Sequence, residues 1–570
     1  MKNNVLLTEY SERMDKICPW NEYPRPSFFR DSFICLNGEW DFAYSKTLPQ
    51  TYAEKILVPF PPESPLSKIH RCHTDEQKLF YRRLFIVPDS FKKKKILLNF
   101  GAVDQICEVF LNGILLGKHE GGYTPFSFDI TDNLTSGENE LLVIATDNLL
   151  HVFPYGKQKK KRGGMWYTPV SGIWQTVWLE SLPEDAIEAV KITQSVSEAK
   201  VKIFTSAKNA RLTLKDGGAV FYADEGGNIT VKPENPILWT PENPHLYYFT
   251  LETDTDRVES YFALREIGSA VVNGFPRLTL NGKPYLFNGL LDQGYFPDGI
   301  FLPATSEGYE NDIRVAKSLG FNTLRKHIKI EPQIFYYLCD KLGMVVFQDM
   351  INNSDYSFIR DTALPTIGFK RRRDKNLHKN PRSRALFKDT LRNTVELLYN
   401  HPSVLYYTVF NEGWGQFSAD EVYRFAKALD STRIFDSTSG WFWQKESDVV
   451  SHHVYFKKLK VEADAERPTV ISEFGGYSYR CGGHLFGDKN YGYKLFKSTS
   501  ELEDALVRLY ESEVLPFVEK GVSALIYTQL SDIEDETNGF MTYDRRVVKV
   551  NADRFLLTQK KLYKALEDIR

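Results

Sequence analysis

VLYYTVFNE, residues 404–412, and TVISEFG, residues 469–475, share one design: an unbroken apolar run that ends at a glutamate. A continuous apolar run of this length reads as a strand buried on both faces, the habit of parallel sheets. Working outward, six more such runs flank these two: YLFNGLL (285–291), FNTLRKH (321–327), MVVFQDM (344–350), RIFDSTS (433–439), VVSHHVYF (449–456) and ALIYTQLSD (524–532). Helical periodicity occupies 307–319, 332–342, 384–400, 419–430 and 501–519 between several of them. Eight strands with intervening helices predict a (β/α)8 (TIM) barrel over 271–570. Catalytic groups in such barrels sit where strands end and the following loops begin. That rule singles out Glu412, at the end of the fourth strand, and Glu473, at the end of the seventh.

Upstream the pattern changes. Up to residue 182 the chain reads as short alternating strands split by Gly, Pro and Asn turns, as in KILLNFGAVDQICEVFLNG (95–113) and ENELLVIATDN (138–148). A jelly-roll β-sandwich is expected over 1–182. Residues 183–270 continue as strands, including AVKITQSV and HLYYFTLETD, over a length suited to an immunoglobulin-like β-sandwich. The chain is thus multidomain.

A net charge of -2 offers no field for nucleic acid or anionic lipid. The local basic runs, Lys92 to Lys95, Lys157 to Arg162 and Lys370 to Arg373, read as solvated loop or edge charge. The six cysteines are scattered without a CxxC pair, which argues against a zinc site and a disulfide framework. No apolar stretch approaches the roughly eighteen residues of a spanning helix. The N-terminal MKNNVLLTEYSERMDK lacks the long apolar stretch and small-residue cleavage site of a secretory signal. A reduced, cytoplasmic enzyme is the expectation, with no nucleic-acid or membrane partner.

The chemistry lies in the two glutamates. A carboxylate at the end of a buried strand is partly desolvated, which favours its neutral form. Two such groups in different environments on one barrel rim are what glycoside hydrolysis uses. At a separation of about 5–5.5 Å one attacks the anomeric carbon and the other serves as acid, then base. Glu473 is the expected nucleophile and Glu412 the expected general acid/base. The alternative for either glutamate is a rim salt bridge.

The chain resembles family 2 glycoside hydrolases, the group of β-galactosidases, β-glucuronidases and β-mannosidases. LNGEWDF (36–42), ILVPFPPESPLS (56–67), VFLNG (109–113), HEGGYTPFSFDI (119–130) and WYTPVSGIWQTVWLE (166–180) look like that family's N-terminal domain, and LWTPENPHLYYF (238–249) like its middle sandwich. The resemblance implies that Asn411 binds the sugar 2-hydroxyl, that Arg325 keeps Glu473 ionised, and that Tyr455 supports the nucleophile. His453 either reaches the sugar or is a core histidine. Family members often associate, so a homo-oligomer is possible.

Departures from the family pattern shape the substrate expectation. β-Glucuronidases carry an Asn-x-Lys pair and an arginine after strand 8. Here SDIEDETNGFMTYDR (531–545) puts Glu536 and Asn538 at those places, and Asp532, Glu534, Asp535 and Glu536 are expected to repel a uronate. MVVFQDMINNSD offers Asp349 without a neighbouring histidine, so no metal or other cofactor is expected. Asp292 and Gln293 stand in place of a strand 1 histidine and are candidates for binding remote hydroxyls. Tyr527 or Gln529 is expected at the pocket floor, with Trp414, Trp441 and Trp443 as stacking walls. The expected function is a retaining exo-β-glycosidase for neutral sugars, β-galactosides first. β-Mannosidase, α-arabinosidase and β-glucosaminidase activities remain alternatives, and β-glucuronidase ranks lower. From another class, a carbohydrate-binding protein without catalysis also remains.

Overall fold

The computed structural model describes residues 5–569, so the first four residues of the N-terminal stretch discussed above lie outside it. Strands between Phe33 and Leu182 form a sandwich of a four-stranded and a six-stranded sheet. Alternating inward residues, among them Trp40, Phe42, Leu98, Val109 and Val143, make its core. Between Ala189 and Phe262 a three-stranded and a four-stranded sheet enclose a second core around Ile192, Val201, Leu212 and Phe249. The expected border at 270/271 falls inside the strand Ile267–Val272. That strand pairs antiparallel with Phe275–Leu280 rather than with the middle sandwich.

All eight expected barrel strands form: β1 (Phe287–Asp292), β2 (Thr323–Lys326), β3 (Val345–Asp349), β4 (Val404–Asn411), β5 (Ile434–Ser439), β6 (Val450–Val454), β7 (Thr469–Gly475) and β8 (Val522–Thr528). They pair parallel in the order 5-4-3-2-1-8-7-6. At the seam, Ser451 Oγ of β6 donates to Thr438 O of β5 at 3.3 Å. Every residue of β4 and β8 is buried, because side chains fill the barrel on one face and helices cover the other. Phe287, Leu291, Phe347, Ala524 and Ile526 pack inward, and Leu278 and Leu280 of the preceding hairpin plug the lower end.

The covering helices start where polar caps allow. Asn380 accepts from Arg382 N and Ser383 N to open Pro381–Leu398, and Asn551 accepts from Arg554 N to open Ala552–Glu567. The helix expected over 501–519 runs Thr499–Leu509, widens into a π-turn at Tyr510–Val514, and resumes at Leu515–Glu519. Pro516 has no N–H to donate back, so the turn before it loosens. Loops rather than helices join β5 to β6 and β6 to β7. No helix among the described residues is long and apolar enough to cross a membrane.

The jelly-roll sandwich docks on the barrel through Phe60, Tyr123, Tyr167, Val170 and Trp174, which share one core cluster with Tyr295, Phe301 and Leu302. This contact places sandwich loops beside the upper ends of β1, β2 and β4.

Candidate active site

β4 delivers Asn411 and then Glu412, whose backbone turns left-handed at φ +52°, followed by Gly413 at φ +73°. A left-handed residue with a side chain is strained by about 1–2 kcal/mol, so the surroundings must hold it. Glu412 N donates to Ser439 O at 3.0 Å and Trp441 Nε1 donates to Glu412 O at 3.0 Å. Gly413 is required here: a Cβ would lie 2.3 Å from the Phe442 ring. β7 delivers Glu473 from across the barrel. Both carboxylates are buried, Glu412 being 8% and Glu473 5% exposed. One oxygen of each, together with a His453 ring nitrogen, lie within 4.8 Å of one another.

Arg325, from β2, organises the floor. Its Nε donates to Asp349 Oδ1 at 3.0 Å, one terminal nitrogen to Glu473 Oε1 at 3.1 Å and Ser472 O at 2.8 Å, and the other to Asn411 Oδ1 at 2.8 Å. Tyr455 Oη donates to Glu473 Oε2 at 2.5 Å, so each oxygen of that carboxylate receives a hydrogen bond. His453 Nδ1 lies 2.8 Å from Glu412 Oε1. Its Nε2 faces an Arg325 nitrogen at 3.4 Å, which can only donate. Nε2 is therefore the acceptor, and Nδ1–H donates to Glu412.

Burial separates the titrations. Glu412 is pushed up to about 7 by desolvation, against the opposing charges of Lys157 and Arg325. His453 is driven down to about 3 by burial and stays neutral at physiological pH. Burial raises Asp349 too, but Arg325 and the His327 hydrogen bond outweigh it and hold that carboxyl below its ordinary range. Glu412, His453 and Glu473 have donor spacing that could accept a cation. The positive charge of Arg325 already faces Glu473.

The structure brings Glu412, Glu473, Asn411, Arg325, His453 and Tyr455 together. Trp414 joins them as a wall, its ring stacked on Trp166 at 5.5 Å and edge-on to Tyr356. Gln529 lies deeper: it accepts from Gln293 Nε2 at 2.6 Å and donates to Glu536 Oε2 and Asn538 Oδ1, each at 2.8 Å. Asp292 is not part of the site. Along β1 the side chains alternate, so Leu291 points into the barrel and Asp292 outward, where it accepts from Lys326 Nζ at 2.6 Å. Tyr527 likewise packs outward against Phe474, Tyr510 and Phe540. Trp443 donates to Ser451 O and packs on His452, away from the glutamates.

The acidic stretch after β8 is not a repulsive wall. Asp532 pairs with Lys549 at 2.6 Å, Glu534 accepts from Thr168 N, and Arg162 lies 3.4 Å from both Glu534 and Asp535. Only Glu536 faces the inner network, where it accepts from Tyr167 Oη at 2.6 Å. Tertiary contacts supply the compensating partners, so adjacency in sequence overstated the charge.

Other residues at the site were missed by the sequence reading. Tyr493 stacks on Tyr455 at 4.3 Å, from the loop after β7. His327 bonds Asp349, supplying the histidine that sequence adjacency did not show. Lys157, expected as solvated charge, is only 7% exposed and lies over the rings of Tyr167 and Trp414, whereas Lys159 to Arg162 are exposed. No local signal marks Lys157, since only docking of the two domains buries it.

Comparison with known proteins matches residues 66–172, 173–265 and 272–545 to the galactose-binding-like, middle and TIM-barrel domain models of glycosyl hydrolases family 2. The chain belongs to glycosyl hydrolase family 2. It is 25% identical over 433 residues to a β-galactosidase of Thermoanaerobacter pseudethanolicus, covering 70% of this chain and 54% of that protein. It is 24% identical over 421 residues to a β-glucuronidase of Bacteroides fragilis, covering 66% and 56%. The chain thus spans about half the length of these curated relatives. In fold it matches a β-D-glucuronidase structure from Dictyoglomus thermophilum with a TM-score of 0.74 at 20% identity, over 94% of this chain and 98% of that one.

Proposed function

We propose that this chain is a retaining exo-β-glycosidase. The observation that carries the reading is a pair of buried carboxylates, Glu412 and Glu473, with oxygens within 4.8 Å of each other and unlike surroundings. That spacing fits the separation of about 5–5.5 Å between carboxyl groups in retaining enzymes, and not the roughly 6.5–9.5 Å that leaves room for water in inverting ones. Glu473, bonded by Arg325 and Tyr455, attacks the anomeric carbon as the glycosidic bond breaks. Glu412, neutral below about 7, protonates the departing oxygen and releases the aglycone as an alcohol. It then takes a proton from water, whose oxygen displaces Glu473 from the glycosyl-enzyme. Asn411, oriented by Arg325, is suited to bond the sugar's 2-hydroxyl. Rings from the sandwich loop (Trp166, stacked on Trp414) and from the loop after β7 (Tyr493, stacked on Tyr455) crowd the catalytic pair, which favours a terminal sugar over a mid-chain one.

The expectation that a uronate would be repelled rested on four acids, and with three of them compensated that argument loses its weight. A non-catalytic sugar-binding role is disfavoured by the unequal environments of the two glutamates, since binding alone needs no such contrast.

The test is covalent trapping. A panel of 2-deoxy-2-fluoro aryl β-glycosides should label the protein once per chain, with the sugar on Glu473 by peptide mass spectrometry. Glu473→Gln should abolish labelling and turnover. Label on any other residue, or full turnover by Glu473→Gln, would defeat the reading.

A further inference from the structure

Among the described residues four lysines are buried: Lys157, Lys326, Lys329 and Lys549. Three have partners. Lys326 binds Asp292 and Glu331, Lys329 binds Glu331 and the carbonyls of Gly294 and Phe301, and Lys549 binds Asp532. Lys157 differs. Among the described residues its ammonium has neither an ion pair nor a hydrogen bond, and its contacts are the faces of Tyr167 at 5.6 Å and Trp414 at 5.8 Å. Its nitrogen, though without a partner, is not fully sealed from solvent. Burying an ammonium is unfavourable, and contact with two ring faces offsets that only in part. The charge acts on the carboxyls of Glu412 and Glu536, but neither forms an ion pair with it.

The position is built rather than incidental. Gly156 turns at φ +66° and packs so tightly that a Cβ would lie 2.8 Å from Ile328 O, clamping the loop to the end of β2. On the other side Gln158 donates to Asp104 Oδ2 at 2.9 Å and Tyr123 Oη at 3.0 Å, and accepts from Val170 N. Lys157 O accepts from Tyr167 N at 3.0 Å. The ammonium is therefore held above Trp414, two positions past Glu412, close enough for its charge to act on the Glu412 carboxyl. Glu536 feels this charge but makes no ion pair with it, and its carboxylate accepts instead from Tyr167 and Gln529.

We propose that Lys157 is a specificity-determining residue that binds an oxyanion on the glycoside, either the carboxylate of a uronic acid or a sulfate ester. The jelly-roll sandwich thereby contributes to the barrel pocket a buried cation that, among the described residues, has no ion pair. This rests on the reading of the pocket as a glycosidase site, so its test measures binding without turnover.

In the Glu473→Gln background, calorimetry would compare glucuronate, galacturonate and galactose 6-sulfate with glucose and galactose. At least one acidic sugar should bind tenfold or more tightly than its neutral parent, and Lys157→Met should lower that ratio at least tenfold. Lys157→Arg should restore most of it, which separates loss of charge from misfolding. A ratio that falls only for the uronates identifies a carboxylate substrate, and one that falls only for the sulfated sugar identifies a sulfate ester. Equal affinity for acidic and neutral sugars, or a ratio unmoved by Lys157→Met, overturns the proposal. Trapping on Glu473 would stand in either case, so the two readings fail separately.

Discussion

His453 Nδ1–H donates to Glu412 Oε1 at 2.8 Å, with the ring kept neutral by burial. Because that oxygen accepts from His453, the acid proton of Glu412 belongs on Oε2. The imidazole thus aims the general acid without competing for its proton.

The first consequence concerns pH. Glu412 is raised to about 7, so kcat/KM on an aryl glycoside should fall above about pH 7 as the acid ionises. Lys157 exerts the largest opposing pull on that carboxyl. Lys157→Met should move the alkaline limb upward on a neutral substrate, and a limb that stays put would deny the coupling.

The same burial links to stability. The unfolded Glu412 ionises near 4.5 and the folded one near 7. Below pH 4.5 both states are protonated and folding carries no penalty from this group. As pH rises from 4.5 through 7 the unfolded state ionises first, and the fold loses about 3 kcal/mol at about 1.4 kcal/mol per unit. Glu412→Gln should therefore be more stable than the wild type in urea at pH 8 and similar at pH 4.5, while lacking activity.

Tyr455 Oη reaches Glu473 Oε2 at 2.5 Å. Tyr455→Phe keeps the ring against Tyr493 and removes one charge-assisted hydrogen bond. A loss of about 10- to 100-fold in kcat/KM is expected for a bond to a charged group. Steady-state kinetics at fixed pH checks this, with an unchanged melting curve as control.

Arg325 ties Asp349, Glu473 and Asn411 from a position 1% exposed. Arg325→Met leaves two carboxylates without their cation and should cost about 3–5 kcal/mol as well as activity. Urea unfolding monitored by tryptophan fluorescence reads the first effect.

Asp292 belongs to the outer layer, paired with Lys326. Asp292→Asn should lower the unfolding midpoint while leaving the ratio of turnover on galactoside and glucuronide substrates unchanged. A shifted ratio would return Asp292 to the pocket.

What the sequence determined by itself was whatever repeats along the chain. Apolar runs such as 404–411 and 469–474 must be buried on both faces, and that requirement set the barrel, its strand order and the ends carrying Glu412 and Glu473. Helix positions followed from periodicity, except where Pro516 loosened one into a π-turn. Direction within a strand was not legible at its end: Arg325 and Lys326 are neighbours, yet one faces Glu473 and the other Phe335 and Asp292. Nor was charge compensation. Lys549 and Arg162 meet the acids at 532–535 only across the folded chain. Lys157 became a buried, unpaired cation only through domain docking. Local pattern decides which residues are hidden; tertiary structure decides what they meet there, because Coulomb and hydrogen-bond energies depend on distances that the chain order does not contain.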